Sequence, residues 1–306
     1  MSEPATHHVT RAADIAPVVP PAYAAHSDGY TRAQVVGRHI GAVHTGTAIS
    51  FLAPGGHVDP HVHSLEESFY ILEGTPTLTL EGRDHLLGPD ECGLIPLGVE
   101  HAWRGGETPT RWVEVQAPAP RLSDPPDTFF TGTPLSTTPG EPVDIRDPRS
   151  RTFFRLTKDQ LELDNLKVGA PVDAPTVSAS MATALLAYSG IALKMLVDQR
   201  LGAVLHTTFM VDYQLGGVAQ PHDHPLEESY LILEGEVEAT AEGEAITLRA
   251  GDIFWTGVGC VHSFLSRDPS VRVRWLESQS PQPPRNHSYR FNRDWDYLQT
   301  KLDAER

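Results

Sequence analysis

The sequence predicts an all-β protein made of two tandem antiparallel sandwiches or barrels. The chain repeats itself, because residues 41–101 match residues 202–262 in register without a gap. Within each copy, short segments rich in Val, Ile, Leu, Thr, Phe and Tyr often alternate with polar residues, as in residues 77–80 and 271–275. Glycine and proline separate these segments, and long helical periodicity is absent from the copies. Many short strands separated by turn residues are typical of sandwiches and barrels.

Length and composition bound the class of protein. A chain of 306 residues has room for two domains of moderate size, and 40% hydrophobic with 21% charged residues is ordinary for a globular protein. The formal net charge of −16 argues against a nucleic acid or an anionic membrane as partner. No secretory signal or membrane-spanning apolar run is visible, which predicts a cytoplasmic protein. Cys92 and Cys260 are expected to be buried small hydrophobes without a disulfide.

The repeat also divides the chain. The predicted segments are an N-terminal arm at 1–28, a first domain at 29–120, a linker at 121–188, a second domain at 189–280 and a C-terminal tail at 281–306. Residues 117–150 are rich in proline, which predicts a linker or long surface loop that could also serve as a lid. Short helices are expected at 181–186 and near Trp295. The terminal segments are long enough to join two subunits, so a homodimer is expected.

The central motif of each copy is His-x-His followed by a glutamate. Because the side-chain period of a strand is two, His61 and His63 point to the same side. Glu67 begins the next strand, and His101 follows a proline-glycine turn. The same residue types recur in the second copy at His222, His224, Glu228 and His262. Since burying such groups without a partner costs several kcal/mol, the motif predicts a divalent first-row transition metal (Fe, Mn, Ni, Cu or Zn), possibly one per domain.

These motifs resemble those of the cupin superfamily, and the whole chain is similar to a bicupin. The family's first motif, G-x5-H-x-H-x3,4-E-x6-G, is met twice, beginning at Gly55 and at Gly216. The second motif, G-x5-P-x-G-x2-H-x3-N, is met with departures, since Asp90 replaces its first glycine in copy one and Gly257 replaces its proline in copy two. Its closing asparagine is absent from both copies. The resemblance implies a double-stranded β-helix (jelly-roll) barrel for each copy, and therefore two tandem cupin barrels.

The two copies differ beside the ligand glutamates. Two residues beyond the glutamate, copy one has Phe69 and copy two has Tyr230. The Tyr230 phenol could donate a hydrogen bond to substrate or act as a general acid, or it could be a core aromatic with a backbone partner. Glu66 and Glu227, which precede the ligand glutamates, are expected to point to solvent.

The leading functional hypothesis is a metal-dependent oxidoreductase of the dioxygenase type that acts on a small organic substrate. The metal would bind substrate oxygens and admit O₂, Glu67 and Glu228 would act as ligands or proton acceptors, and the apolar barrel would exclude water. One alternative is an oxalate-decarboxylase-like or other lyase or hydrolase bicupin, since the oxalate enzymes resemble this chain in having ligands in both barrels. Another is a non-catalytic cupin that binds a small molecule.

Overall fold

The computed structural model describes residues 6–121, 126–145, 147–161, 190–213, 216–268, 270–282 and 290–291. Within these ranges the chain is nearly all β, as predicted, and its helices are short 3₁₀ turns. They are Ala12–Asp14, Pro21–Tyr23, Arg38–Ile40, Pro148–Ser150 and Lys158–Leu161. None of these described helices is long and apolar enough to cross a membrane. The helices expected at 181–186 and near Trp295 lie outside the described residues.

The chain forms two compact units, each built around one copy of the repeat. The unit of the first repeat, here called the first barrel, contains Ile15–Leu156 and Leu196–His206. The unit of the second repeat, the second barrel, contains Met1–Asp14, Thr157–Met195 and Thr207–Arg306. Each unit therefore includes a segment that lies outside its own repeat in the sequence.

The first barrel is one curled sheet with the strand order β11-β6-β5-β8-β3-β9-β4-β7-β12, and β2 and β10 also pair with β3. Its strands are β2 Ser27–Val36, β3 Gly46–His63, β4 Glu66–Glu73, β5 Thr77–Leu80, β6 Arg83–Leu86, β7 Glu91–Ile95, β8 His101–Arg104, β9 Thr110–Ala117, β10 Thr128–Phe130, β11 Glu141–Pro142 and β12 Phe153–Arg155. The long β3 pairs with β9 along its first part and with β8 along its last, so it joins the two walls of the barrel.

The second barrel has two sheets, ordered β1-β19-β16-β21-β14-β13 and β18-β17-β20-β15-β22. Its strands are β1 His7–Thr10, β13 Ile191–Val197, β14 Thr207–Tyr213, β15 Val218–Asp223, β16 Glu227–Glu234, β17 Glu236–Ala241, β18 Glu244–Arg249, β19 Ile253–Thr256, β20 His262–Leu265, β21 Val273–Ser280 and β22 Arg290–Phe291. Strands β14 and β15 occupy the places of the first and last parts of β3.

Alternation along the strands fills both interiors. Trp112 on β9 and Trp275 on β21 stand at equivalent positions and are fully buried in the two hydrophobic cores. The same period of two turns the ligand histidines of β3 and β15 inward. Cys92 and Cys260 are buried and free of any disulfide, as predicted.

The proline-rich stretch and the residues just after it contribute three strands to the first barrel. β10 runs antiparallel to β3, with Thr128 opposite His63 and Phe130 opposite His61. β11 pairs with β6, and β12 pairs with β7. All three short strands lie at margins of the sheet, where the missing backbone donors of neighbouring prolines carry no penalty. The stretch therefore brings side chains to the region of the predicted metal ligands.

Candidate metal centres

The first barrel brings its three predicted ligand histidines together. His61 and His63 lie at the end of β3, and His101 begins β8 directly opposite His61. One ring nitrogen from each lies within 4.8 Å of those of the other two, and all three rings are buried. Gly98, in the turn before β8, has a φ of 75°, a conformation that favours glycine and lets the chain turn back to place His101.

The rings are oriented through Nδ1. His61 Nδ1 lies 2.7 Å from the carbonyl oxygen of Asp59, and His101 Nδ1 lies 3.0 Å from that of Val99. Because a carbonyl only accepts, each Nδ1 carries the proton and each Nε2 keeps a free lone pair. The buried Nε2 of His101 has no hydrogen-bond partner among the residues that the structure describes, which fits a bound metal ion.

The protonation state of these rings also suits a metal. Burial holds the pKa of His61 and His63 well below the ordinary value, and it lowers the pKa of His101 to about 4. All three are therefore neutral near pH 7, and neutral imidazole is the form that coordinates metals.

Glu67, at the start of β4, lies beside this histidine cluster. Its Oε2 is 3.5 Å from His63 Nε2 and accepts a hydrogen bond of 2.8 Å from Gln116 Nε2. Burial, and next the nearby Glu114 carboxylate, raise the pKa of Glu67 to about 8 in the metal-free chain. A positive ion among the rings would favour its charged form, so Glu67 is suited to complete a ligand set.

A largely covered arginine next to this site, with 10% of its side chain exposed, has no signal in the repeat. Arg32 on β2 forms an ion pair with Glu114, with Nε 2.8 Å from Oε2, and its Nη2 donates to Gln116 Oε1 at 2.5 Å. Its counterpart in the second copy is Leu193, so comparing the two copies does not identify Arg32 as a site residue. The only sequence signal is the alternation that places Arg32 on the same side of β2 as the buried Tyr30.

The second barrel repeats the triad. The ring nitrogens of His222, His224 and His262 also lie within 4.8 Å of one another, and the rings are buried. Here all three Nδ1 atoms face backbone carbonyls, at 2.7 Å, 2.9 Å and 3.0 Å, which belong to Gln220, Leu226 and Cys260. The second site therefore presents its Nε2 atoms in the same way as His61 and His101 do in the first.

Glu228 lies closer to its histidines than Glu67 does. Its Oε2 is 2.7 Å from His224 Nε2 and 3.2 Å from His262 Nε2, and Gln279 donates to its Oε1 at 2.6 Å. Burial alone would raise the pKa of Glu228, but the two rings hold it well below the ordinary value. The Glu228 carboxylate therefore contacts two of the ring nitrogens that would coordinate a metal.

The comparisons with known proteins agree with this double site. The cupin domain model matches residues 48–116 and 209–278. The chain is a bicupin. No curated protein sequence matches it. Among solved structures, the bicupin resembles oxalate decarboxylase of Lactobacillus farciminis in complex with formate, with a TM-score of 0.63 and 16% identity over 96% of this chain and 92% of that one.

Two further structures show the same likeness. The bicupin matches oxalate decarboxylase of Bacillus subtilis at pH 4.6 with a TM-score of 0.61 and 16% identity, over 96% of this chain and 82% of that one. It matches a Pseudomonas aeruginosa protein named as glyoxylate-induced with a TM-score of 0.60 and 19% identity, over 92% and 90% of the two chains. At these identities the likeness shows the fold, and the predicted pair of jelly-roll cupin barrels is confirmed.

Each barrel of the bicupin therefore carries a histidine-rich metal-binding site, as the sequence predicts. A structure of the Bacillus subtilis enzyme is described for its Mn(II) centres, which makes manganese a reasonable first ion to test. Three imidazoles and a carboxylate suit manganese and iron as well as the other ions predicted. The catalytic roles of Glu67, Glu228 and Tyr230 stay predictions.

Tyr230 faces the second site. Its hydroxyl donates to Glu228 Oε2 and lies 2.9 Å from His262 Nε2, so its partners are site residues. Phe69 stands at the equivalent place in the first barrel and offers no hydroxyl. The two sites thus share their ligand types and differ in this hydrogen-bond donor.

Glu66 and Glu227 do not point to solvent, and that expectation is wrong. Both are buried, at 2% and 3% exposure. Glu66 accepts hydrogen bonds from the backbone amides of Val204 and Leu205 at 2.8 and 2.9 Å, and His206 Nδ1 lies 2.8 Å from it. Alternation does turn Glu66 away from the metal site, but a segment distant in the sequence covers that face.

Proposed function

We propose that the bicupin is a metal-dependent decarboxylase of a small carboxylic acid, with oxalate as the first substrate to test. The observation that carries the proposal is in the first barrel, where a complete set of metal-ligand types lies beside the Arg32–Glu114 ion pair. Because Arg32 balances the charge of Glu114, that carboxylate does not repel an anionic substrate at the metal site. Bicupins of similar fold include the oxalate decarboxylases of two bacteria, which supports this choice of acid.

The first barrel is the better place for an anion. Arg32 offsets the charge of Glu114, and its Nη2 is joined through Gln116 to Glu67. In the second barrel the position of Arg32 is taken by Leu193, and Glu277 stands where Glu114 stands in the first. Burial, and next the Glu228 carboxylate, raise the pKa of Glu277 well above its ordinary value. A second anion is disfavoured there, so we place substrate binding in the first barrel.

The reaction is a cleavage without net oxidation. In the oxalate monoanion the carbon–carbon bond breaks, the ionised carboxylate leaves as CO₂, and the electron pair stays on the other carbon. The proton of the remaining carboxyl group moves from its oxygen to that carbon, so the products are CO₂ and formate. A bound divalent metal would supply Lewis-acid binding of the substrate oxygens.

Residues of the chain would hold the substrate and manage the proton. His61, His63 and His101 would hold the metal, and the buried rings keep bulk water away from the reacting carbon. Among the described ionisable groups, Glu67 lies beside the histidine cluster and Gln116 holds its Oε2 in place. As a carboxylate, Glu67 would accept the proton of the substrate carboxyl group and return it to the reacting carbon.

The test is product analysis with the full chain loaded with Mn(II). Labelled oxalate is followed by ¹³C NMR, and dissolved O₂ is followed with an electrode in the same reaction. The proposal predicts equal amounts of formate and CO₂ without net O₂ uptake. Uptake of O₂ in proportion to substrate would instead support the dioxygenase hypothesis. Failure to turn over oxalate, malonate or glyoxylate would contradict the decarboxylase proposal.

A matched pair of variants assigns the barrel. His63→Ala and His224→Ala remove equivalent ligands from the first and second sites. If the first barrel does the chemistry, His63→Ala lowers kcat by a larger factor than His224→Ala does. The reverse order would contradict the placement of the substrate.

A further inference from the structure

One ligand histidine is oriented differently from the other five. In His61, His101 and the three histidines of the second site, Nδ1 faces a backbone carbonyl close in the sequence. His63 Nδ1 instead lies 3.0 Å from the hydroxyl oxygen of Thr128, which is 65 residues away in the proline-rich stretch. The equivalent His224 uses the carbonyl of Leu226, two residues away. The ring of His63 thus depends on a segment outside the repeat.

Several contacts hold that segment in place. The backbone amide and the hydroxyl of Ser64, next to the ligand, donate to the carbonyl oxygen and Oδ1 of Asp127 at 2.9 and 2.8 Å. Arg121 donates to both carboxylate oxygens of Asp127, from its backbone amide and from Nη2, at 2.6 Å each. Strand β10 then places Thr128 directly opposite His63. These contacts hold the backbone of Thr128 beside β3, within hydrogen-bonding reach of the His63 ring.

The hydroxyl of Thr128 has a second neighbour that can accept its hydrogen. Tyr23 Oη lies 3.4 Å from Thr128 Oγ1. A hydroxyl can donate once and accept twice. With Tyr23 as an alternative acceptor for its hydrogen, Thr128 can accept from His63 Nδ1–H, which leaves Nε2 unprotonated and free for a metal.

We propose that Thr128 is a positioning residue for the first metal centre, which makes metal binding there depend on the proline-rich stretch. In the second centre all three Nδ1 atoms face backbone carbonyls two residues away. This inference does not rest on the choice of substrate, since it concerns metal affinity alone.

The test measures Mn(II) affinity in a chain whose second site is disabled. In the His224→Ala background, equilibrium dialysis with metal analysis reports the first site for the parent, Thr128→Val, Thr128→Ser and Thr131→Val. Thr131 is the matched control, because it lies just after β10 and its hydroxyl contacts Pro60 and Thr133 without touching a histidine. We expect Thr128→Val to weaken Mn(II) binding by roughly 10- to 100-fold, the usual effect of removing a partner that orients a ligand.

Rescue by the conservative variant separates positioning from loss of structure. Thr128→Ser keeps the hydroxyl, so it is expected to bind Mn(II) nearly as tightly as the parent, and so is Thr131→Val. The Mn(II) affinity of the second site, read in the His63→Ala background, reports any general damage by Thr128→Val. The inference is overturned if Thr128→Val binds as tightly as the parent, if Thr128→Ser loses as much affinity as Thr128→Val, or if both sites weaken together.

Discussion

At the residue scale, the two metal sites differ in the residues that balance a buried carboxyl group. Glu114 and Glu277 occupy equivalent places on β9 and β21. Glu114 is paired with Arg32 and accepts a hydrogen bond of 2.6 Å from Ser50, whereas Glu277 accepts one of 2.9 Å from Trp275 Nε1. Among the described residues, the carboxyl group at this position is therefore paired with a cation in the first barrel and not in the second.

This difference predicts the cost of removing the cation. Arg32→Leu installs the residue type of the second barrel and leaves Glu114 buried without its ion-pair partner. We expect the free energy of unfolding of the first barrel to fall by about 3–5 kcal/mol, the usual cost of breaking a buried ion pair from one side. Urea denaturation followed by tryptophan fluorescence measures it.

Two further variants control this experiment. Arg111→Leu removes an arginine from an exposed pair, in which Arg111 and Glu73 are 42% and 61% exposed, and should cost at most about 1 kcal/mol. Adding Glu114→Gln to Arg32→Leu should recover much of the loss, because the uncompensated charge is then gone. Equal costs for Arg32→Leu and Arg111→Leu would contradict the ion-pair account.

The ligands were predictable from sequence, and the residues around them were not. His61, His63 and their counterparts are marked twice by the repeat, so spacing alone places them on one side of a strand. Arg32 and Thr128 occur in one copy only and meet the site through tertiary structure. Asp90, a departure from the family motif, adopts a φ of 67°, so it fills the role of a glycine in the turn.

At the scale of the elements, the turns after the motif strands need glycine for two separate reasons. Gly235 follows β16 with a φ of 79°, and a Cβ built there would lie 2.4 Å from the carbonyl oxygen of Arg272. Gly243 has a φ of 85° with nothing within 4 Å of such a Cβ. Substituting each of these two glycines therefore separates the cost of backbone strain from the added cost of a steric clash.

Gly243→Ala should cost about 1–2 kcal/mol from the left-handed backbone alone. Gly235→Ala should cost clearly more, since the backbone of the adjoining strand must also shift. Urea denaturation of both variants measures the difference in unfolding free energy. Equal costs would show that the strand relaxes freely and that the close approach of Arg272 does not matter.

The N-terminal strand β1 is fastened to the second barrel by a carboxylate. Asp252 accepts hydrogen bonds from the Ala12 amide at 3.0 Å and from Arg11 Nη1 at 2.7 Å. Burial alone would raise the pKa of Asp252, but these two donors hold it below its ordinary value. An acid with a lowered pKa stabilises the fold above its unfolded pKa of about 4, and that contribution is lost as the pH falls through the folded pKa.

Asp252→Asn is therefore expected to lower the thermal unfolding midpoint at about pH 7 and to reduce its fall between about pH 5 and pH 2. Scanning calorimetry across that range compares the variant with the parent. A parent whose midpoint falls no more steeply than that of the variant would contradict this role of Asp252.

The elements outside the repeat were the hardest to predict. Short strands such as β10 and β22 have too few residues for a periodic signal, and β10 lies among prolines. Yet Phe130 on β10 lies opposite His61 on β3, and Phe291 on β22 lies opposite His222 on β15. The two phenylalanines are as far apart in the sequence as the two histidines, so they occupy equivalent positions after each repeat. A closer alignment of the segments after each barrel could have found this correspondence.

At the scale of the whole molecule, duplication explains why the fold was predictable. The strands and ligands within the repeat are signalled twice, so a pattern that occurs by chance in one copy is not supported by the other. The boundaries were harder, because β1 joins the barrel of the second repeat although it precedes the first in sequence. The homodimer and the cytoplasmic location stay predictions.

Both barrels of the bicupin are expected to bind a metal. The most direct test is metal content per chain by inductively coupled plasma mass spectrometry, on protein purified without a metal-affinity step and reconstituted anaerobically with Mn(II) or Fe(II). Two sites predict about two equivalents for the parent and about one for each of His63→Ala and His224→Ala. A parent that binds no metal, or a variant that keeps the parent's full content, would contradict the account.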